Sequence, residues 1–103
     1  HQFCRVGGYT MVGGGTRFSQ DVLPYSMCAR EPAAYCGLNI VGLRRRNFGN
    51  DVIENIHSTY RIILQSGLQL AEALRKVREE VPSSPEIDYI IDFIESSKRG
   101  FVH

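Results

Sequence analysis

The chain has 103 residues, of which 43% are hydrophobic and 22% charged, a globular composition rather than a disordered one. No apolar run approaches the ~20 residues a membrane helix needs, so no membrane span is expected. The net charge of +1 hides a split, because residues 1–50 carry six arginines against Asp21 and Glu31, while residues 51–103 carry more acids than bases.

The sequence opens on His1, with no initiator Met and no basic-then-apolar leader, which reads as a processed start or a piece of a longer chain. A six-residue beat follows. Val6, Val12 and Phe18 recur as apolar positions, glycine follows the first two, and Thr10, Thr16 and Val22 hold a small or β-branched slot four places on. Six matches neither the helical nor the strand period, so it points to a solenoid with one flat side and one corner per copy. The apolar residues are expected to point inward, and glycine to supply the backbone angles or close approach a corner needs. Copies this few make little more than one coil, and rungs bury their faces only against neighbours, so further rungs upstream are expected.

Pro24 stops the regular pattern, and residues 26–38 read as a loop with a short strand near Tyr25–Ala29. From Asn50, a plausible N-cap with Asp51 and Glu54 behind it, the period becomes helical. Val52, Ile53, Ile56, Tyr60, Ile63 and Leu64 form one stripe, ended by Gly67. Leu70, Leu74, Val77 and Val81 mark a second helix, stopped before Pro82. Ser83-Ser84-Pro85-Glu86 reads as a cap followed by an early proline, opening a third helix through Ile87, Ile90, Ile91 and Ile94, with Lys98 and Arg99 in its last turn and Gly100 beyond. The expected architecture is the end of a parallel β-solenoid over residues 1–36 and a small three-helix bundle over residues 37–103.

Several residues could carry chemistry. His1 could bind a polar substrate or move a proton, or simply be exposed. Arg44-Arg45-Arg46 is a candidate diphosphate clamp, because guanidinium groups bind phosphate oxygens in pairs, although a solvated basic turn has the same signature. A nucleic-acid surface would need more basic residues interleaved with aromatics, and the second half is acidic. Gly13-Gly14-Gly15 leaves a groove on a solenoid wall that could admit an acyl chain or a ligand lying against the backbone, and lacks the Lys-Ser/Thr of a phosphate loop. Cys4, Cys28 and Cys36 are odd in number and contain no Cys-x-x-Cys pair, so free thiols in a reducing cytosol are expected rather than a zinc site. His57 reads as a boundary residue of its helix, and Tyr60, Tyr89, Phe93 and Phe101 as core or seam residues.

His1-Gln2-Phe3-Cys4, Met11-Val12-Gly13-Gly14, Gln20-Asp21-Val22-x-Pro24-Tyr25, Gly37-Leu38-Asn39-Ile40-x-Gly42-Leu43-x-Arg45-Arg46 and Ser97-x-Arg99-Gly100 occur in order along the chain. Together they resemble the acyl-[acyl-carrier-protein]–UDP-N-acetylglucosamine O-acyltransferases, which open lipid A synthesis. The block from Asn39 to Arg46 is the most specific part, whereas the hexapeptide alone would indicate only a broad transferase superfamily.

The resemblance implies a cytoplasmic homotrimer of left-handed β-helices, with active sites between subunits and no cofactor. It implies transfer of a 3-hydroxyacyl group from acyl carrier protein to the 3-hydroxyl of UDP-N-acetylglucosamine. The base in this family is a histidine of earlier rungs, so no catalytic residue is assigned here and the chain alone is expected to be inactive. By match, His1 and Gln2 are substrate-pocket residues, Asn39, Arg45 and Arg46 contact the nucleotide and its phosphates, and Gly14 limits acyl-chain length. The helical part is similar to the one that helps dock the carrier protein. Arg30-Glu31-Pro32 departs from the family pattern, and Val41 stands where some relatives carry an acid that reads the base. The competing expectations are a sister hexapeptide acyltransferase acting on a related amino-sugar nucleotide, and a non-catalytic module for carrier binding or oligomerisation.

Overall fold

The six-residue beat folds as stacked rungs. In the computed structural model, which describes residues 5–13, 20–29, 34–97 and 100–101, Val6 bridges Val22 in parallel. Strand β1 (Met11–Val12) pairs in parallel with β2 (Ser26–Ala29) through Met11↔Met27 and Val12↔Cys28. The offset is 16 residues at each pair, where three six-residue sides would give about 18. The last coil is therefore shorter than the repeat suggests, and Val22 lies over Val6 instead of sharing the slot of Thr10 and Thr16.

Val22 is buried with Cys28, and Val12 packs against both, as inward residues should. Val6 departs from the expectation at 49% exposed. Among the described residues, the first rung has a neighbour on one side only, and a rung buries a face only against a neighbour. Phe18 and Thr16, also expected in the repeat, and Cys4 lie outside the described residues. Glycine's part is close approach at Gly7, where a Cβ would overlap the backbone of Pro24. Gly7→Ala is expected to cost about 2 kcal/mol or more, because backbone rather than a flexible side chain would have to move. A thermal melt followed by circular dichroism checks this, and an unchanged midpoint would show that the rungs do not need that approach.

Beyond Pro24 the chain forms a hairpin where the sequence suggested a loop with one strand. Strand β2 returns as β3 (Ala34–Leu38), antiparallel, with Ser26↔Leu38, Cys28↔Tyr35 and a bulge between Ser26 and Cys28. The expected division between residues 36 and 37 falls inside β3.

The three expected helices form, and a short one precedes them. Helix α1 (Ile40–Arg45) is followed by α2 (Asn50–Gln65), α3 (Leu70–Glu80) and α4 (Pro85–Glu95). Gly49, not Asn50, occupies the N-cap of α2, and Gly67 follows its end at φ +77, the left-handed backbone that a helix stop favours. In α3 the buried stripe is Ala73, Leu74 and Val77, while Leu70 faces solvent. Helix α4 opens as expected, with Pro85 in its first turn and the Ser84 hydroxyl accepting the Ile87 N–H at 3.3 Å. It stops at Glu95, one turn earlier than the sequence suggested, so Lys98 and Arg99 fall beyond it and outside the described residues. Ser84→Ala is expected to cost about 1 kcal/mol through the lost cap, read as a lower urea midpoint with an unchanged slope.

One apolar core joins the rungs to the helices. Leu23, Tyr25 and Leu38 pack in the same cluster as Leu43, Ile56, Tyr60, Val77 and Ile90. Two hydrogen bonds tie the layers across it: Tyr60 Oη donates to the Pro24 carbonyl at 2.6 Å, and Gly8 N–H donates to Tyr89 Oη at 2.8 Å. A polar node fastens the far end. Asp21, 2% exposed, accepts the Arg5 backbone N–H at 2.8 Å, the Arg5 guanidinium at 3.2 Å and the Ser97 hydroxyl at 2.8 Å. The same guanidinium donates to the Phe93 carbonyl and lies over the Phe93 ring. Burial alone would raise the Asp21 carboxyl, but the Arg5 N–H, the Ser97 hydroxyl and the Arg5 side chain together hold it below its ordinary value. Among the described residues, no helix is long and apolar enough to cross a membrane.

Candidate functional site

The Asn39–Arg46 block becomes a capped helix set against a rung corner. The Asn39 N–H donates to the Tyr25 carbonyl at 2.9 Å, which anchors the start of α1 to the end of the solenoid. The Asn39 side chain does two jobs, because Oδ1 accepts the Gly42 N–H at 3.2 Å and Nδ2 donates to the Tyr9 carbonyl at 3.1 Å. Gly42 is required there, since a Cβ would overlap the Asn39 amide. Helix α1 ends after Arg45 in a left-handed turn at Asn47, φ +64. The Asn47 N–H returns to Arg44 O and the Phe48 N–H to Leu43 O, which satisfies two of the last carbonyls. That turn fixes where the three arginines can reach.

Consecutive residues at a helix end lie about 100° apart, so the three arginines leave the helix end in different directions. Arg44 lines a cleft of about 810 Å³ between the hairpin and α2. Arg45 is exposed at the helix end. Arg46 lies on another side, its guanidinium carbon 5.3 Å from the centre of the Tyr9 ring. The structure thus brings Asn39 and Arg46 together at Tyr9 and sets Arg44 apart from them. Asn39 is only 8% exposed, so its amide acts first as a strut; one Nδ2–H and one Oδ1 lone pair remain beyond its two bonds. The expected site residues His1, Gln2 and Gly14 lie outside the described residues, as does Arg30-Glu31-Pro32. Val41, at the start of α1, is exposed.

The cleft was not legible in the sequence. Leu38, Tyr35, Ile53 and Tyr60 form apolar walls, and Arg44, His57, Arg61 and Glu54 stand around it. Arg61 and His57 sit one helical turn apart on α2, with Arg61 Nη2 3.3 Å from His57 Nδ1. That i, i+4 spacing was the available signal for a basic ridge. Burial pushes Tyr35 up to about 12 and Tyr60 well above the ordinary phenol value. Neither phenol sheds a proton near neutral pH, so both serve as walls, and Tyr60 also donates its hydrogen bond to Pro24. Among the described residues, no group of histidine, cysteine and acidic side chains could hold a metal ion.

Residues 21–102 match the family described as UDP-N-acetylglucosamine O-acyltransferase, domain 2. The chain belongs to this family. Among UDP-N-acetylglucosamine O-acyltransferases, the acyl-[acyl-carrier-protein]–UDP-N-acetylglucosamine O-acyltransferase of Myxococcus xanthus is 39% identical over 100 residues, covering 97% of this chain and 39% of its own length. The crystal structure of the UDP-N-acetylglucosamine acyltransferase from Bacteroides fragilis is 63% identical with a TM-score of 0.97, covering all of this chain and 40% of that one. The homologue from Acinetobacter baumannii is 38% identical with a TM-score of 0.93 at the same coverage. The chain therefore spans about two fifths of the length of these UDP-N-acetylglucosamine O-acyltransferases. Its fold is the end of a left-handed parallel β-helix followed by a helical unit.

Proposed function

We propose that this chain supplies the nucleotide-binding corner and the helical domain of an acyltransferase. The enzyme would move a 3-hydroxyacyl group from acyl carrier protein to the 3-hydroxyl of UDP-N-acetylglucosamine, in lipid A synthesis. In that reaction the sugar hydroxyl attacks the thioester carbonyl, loses its proton to a base, and the carrier thiol leaves as the ester forms. The base would be a histidine of earlier rungs, which leaves this chain inactive alone. The parts held here do the binding: Arg45 and Arg46 meet the nucleotide phosphates, His1 and Gln2 line the sugar pocket, and Gly14 leaves room at the end of the acyl chain. The partner arrangement is a cytoplasmic homotrimer, and the ligands require no cofactor.

The observation that supports this most is the placement of α1. Its N-cap is tied to the rung corner at Tyr9, and its C-terminal end presents exposed guanidinium groups beside that corner. Residues 51–103 are net acidic, so an acidic carrier protein would meet repulsion over most of the helical surface. Arg44 and Arg61 along the cleft, with Glu54 as the one acid among them, make a local exception and the place where such a partner would dock.

Arg45→Ala, made in the enzyme that carries this chain, is expected to weaken UDP-N-acetylglucosamine binding by about tenfold, the scale of one charge-assisted hydrogen bond. Calorimetry reads this directly, and an unchanged Kd would remove Arg45 from the clamp. Assaying the same enzyme with the 3-hydroxy and 3-amino sugar nucleotides separates ester from amide formation.

A further inference from the structure

We infer that Tyr9 is the positioning residue that aims Arg46 at the nucleotide diphosphate, an assignment that rests on the reading of Arg46 as a phosphate ligand. Tyr9 adopts φ +58, the left-handed region that a bulky side chain rarely enters. Asparagine or glycine would sit there at lower conformational cost. Burial does not account for the choice, because Tyr9 is 42% exposed. Tyr25 shares the same backbone region at φ +61 but is buried, so burial in the core explains Tyr25 and not Tyr9. What the Tyr9 ring does is hold a fixed orientation. It stacks on Tyr25 with centroids 5.5 Å apart and planes 9° from parallel, and Phe48 meets it edge-on at 5.1 Å. Arg46 then lies over the ring at 5.3 Å.

A guanidinium held over an aromatic face is fixed in plane while its N–H edges stay available for paired bonds to phosphate oxygens. A long arginine at a helix end would otherwise lose several freely rotating bonds on binding, and a preset orientation removes part of that loss. The backbone of Tyr9 serves the same corner, since its carbonyl accepts the Asn39 amide that starts α1. One residue of the rung therefore sets both ends of the block that bears the arginines.

The test uses the enzyme that carries this chain and measures Kd for UDP-N-acetylglucosamine together with KM and kcat. Tyr9→Asn keeps a residue suited to the left-handed backbone and removes the ring. It is expected to raise Kd and KM about two- to fivefold, the range of an exposed cation–π contact, with a smaller change in kcat and little change in melting temperature. Tyr9→Phe is expected to recover most of that loss. In an Arg46→Ala background, Tyr9→Asn should add nothing further. An unchanged Kd in Tyr9→Asn, or independent multiplication of the two effects, overturns the role of Tyr9 while leaving Arg46 as a ligand. Equal losses in Tyr9→Phe and Tyr9→Asn overturn it too, by showing that the ring is not the cause. An unchanged Kd in Arg46→Ala alone removes Arg46 from the phosphate site, and Tyr9's role with it.

Discussion

Tyr60→Ala should be the most damaging single core change, lowering the unfolding free energy by about 4 kcal/mol. Tyr60 is buried at the meeting point of α2, β3 and the last rung, packed beside Tyr35 with ring centroids 5.7 Å apart. Truncation leaves a ring-sized void lined by residues of two layers, neither of which can close it without moving the other. It also strands the Pro24 carbonyl, whose partner is the Tyr60 hydroxyl at 2.6 Å. Tyr60→Phe separates the two contributions, because it keeps the ring and loses only the bond, for an expected cost of about 1–2 kcal/mol. Urea midpoints of the two variants give the partition. Equal losses would mean that the hydrogen bond, not the packing, joins the solenoid end to the helices.

The second large effect is expected at Asp21. Asp21→Ala leaves the Arg5 guanidinium and the Ser97 hydroxyl without their shared acceptor. The loss is expected to be about 2–4 kcal/mol, below that of a fully buried pair because the Arg5 side chain is 43% exposed. The carboxyl titrates below its ordinary 3.8 when folded. A carboxyl depressed by folding contributes stability that is present above the unfolded value and lost as pH falls through the folded one. Wild-type stability should therefore hold above about pH 5 and fall on acidification below 3.8. Asp21→Asn should start lower and show a flatter acid limb. Parallel acid limbs in the two proteins would mean that Asp21 is not the group whose protonation loosens this end.

Periodic features were legible in the sequence and nonlocal ones were not. The stripes of α2 and α4 set those helices, because Ile53, Ile56, Tyr60 and Ile63, or Ile87, Ile90, Ile91 and Ile94, recur at helical spacing and bury together. The six-residue beat revealed rungs, but not that the last coil closes in 16 residues, since the repeat carries no information on how a coil ends. Helix α1 escaped notice because it is six residues long, begins on Ile40-Val41 and contains Gly42, all weak helical signals. Its one local cue was Asn39 three residues before Gly42, the spacing of a side-chain cap. Strand β3 escaped because Ala34-Tyr35-Cys36-Gly37-Leu38 shows no clean alternation. Within the site, the triple arginine already marked Arg45 and Arg46 as candidate phosphate ligands, whereas Asn39 came from resemblance alone. The divergence of Arg44 from Arg46 came only from helix geometry, and Tyr9 carried no signal beyond being a large residue beside glycine at a corner. The Asp21–Ser97 bond joins residues 76 positions apart, and no local pattern announces such a pair.

The hairpin that closes the solenoid has one further effect. A parallel stack lengthens only if each newcomer runs in the direction of the strand it joins. The place beside β2 is taken by β3, which runs the other way and carries Gly37, whose φ of +101 breaks the extended line just before its last residue, Leu38. A second molecule arriving at that end finds a reversed, short and kinked border instead of a template. The chain thus carries its own terminator against end-to-end polymerisation.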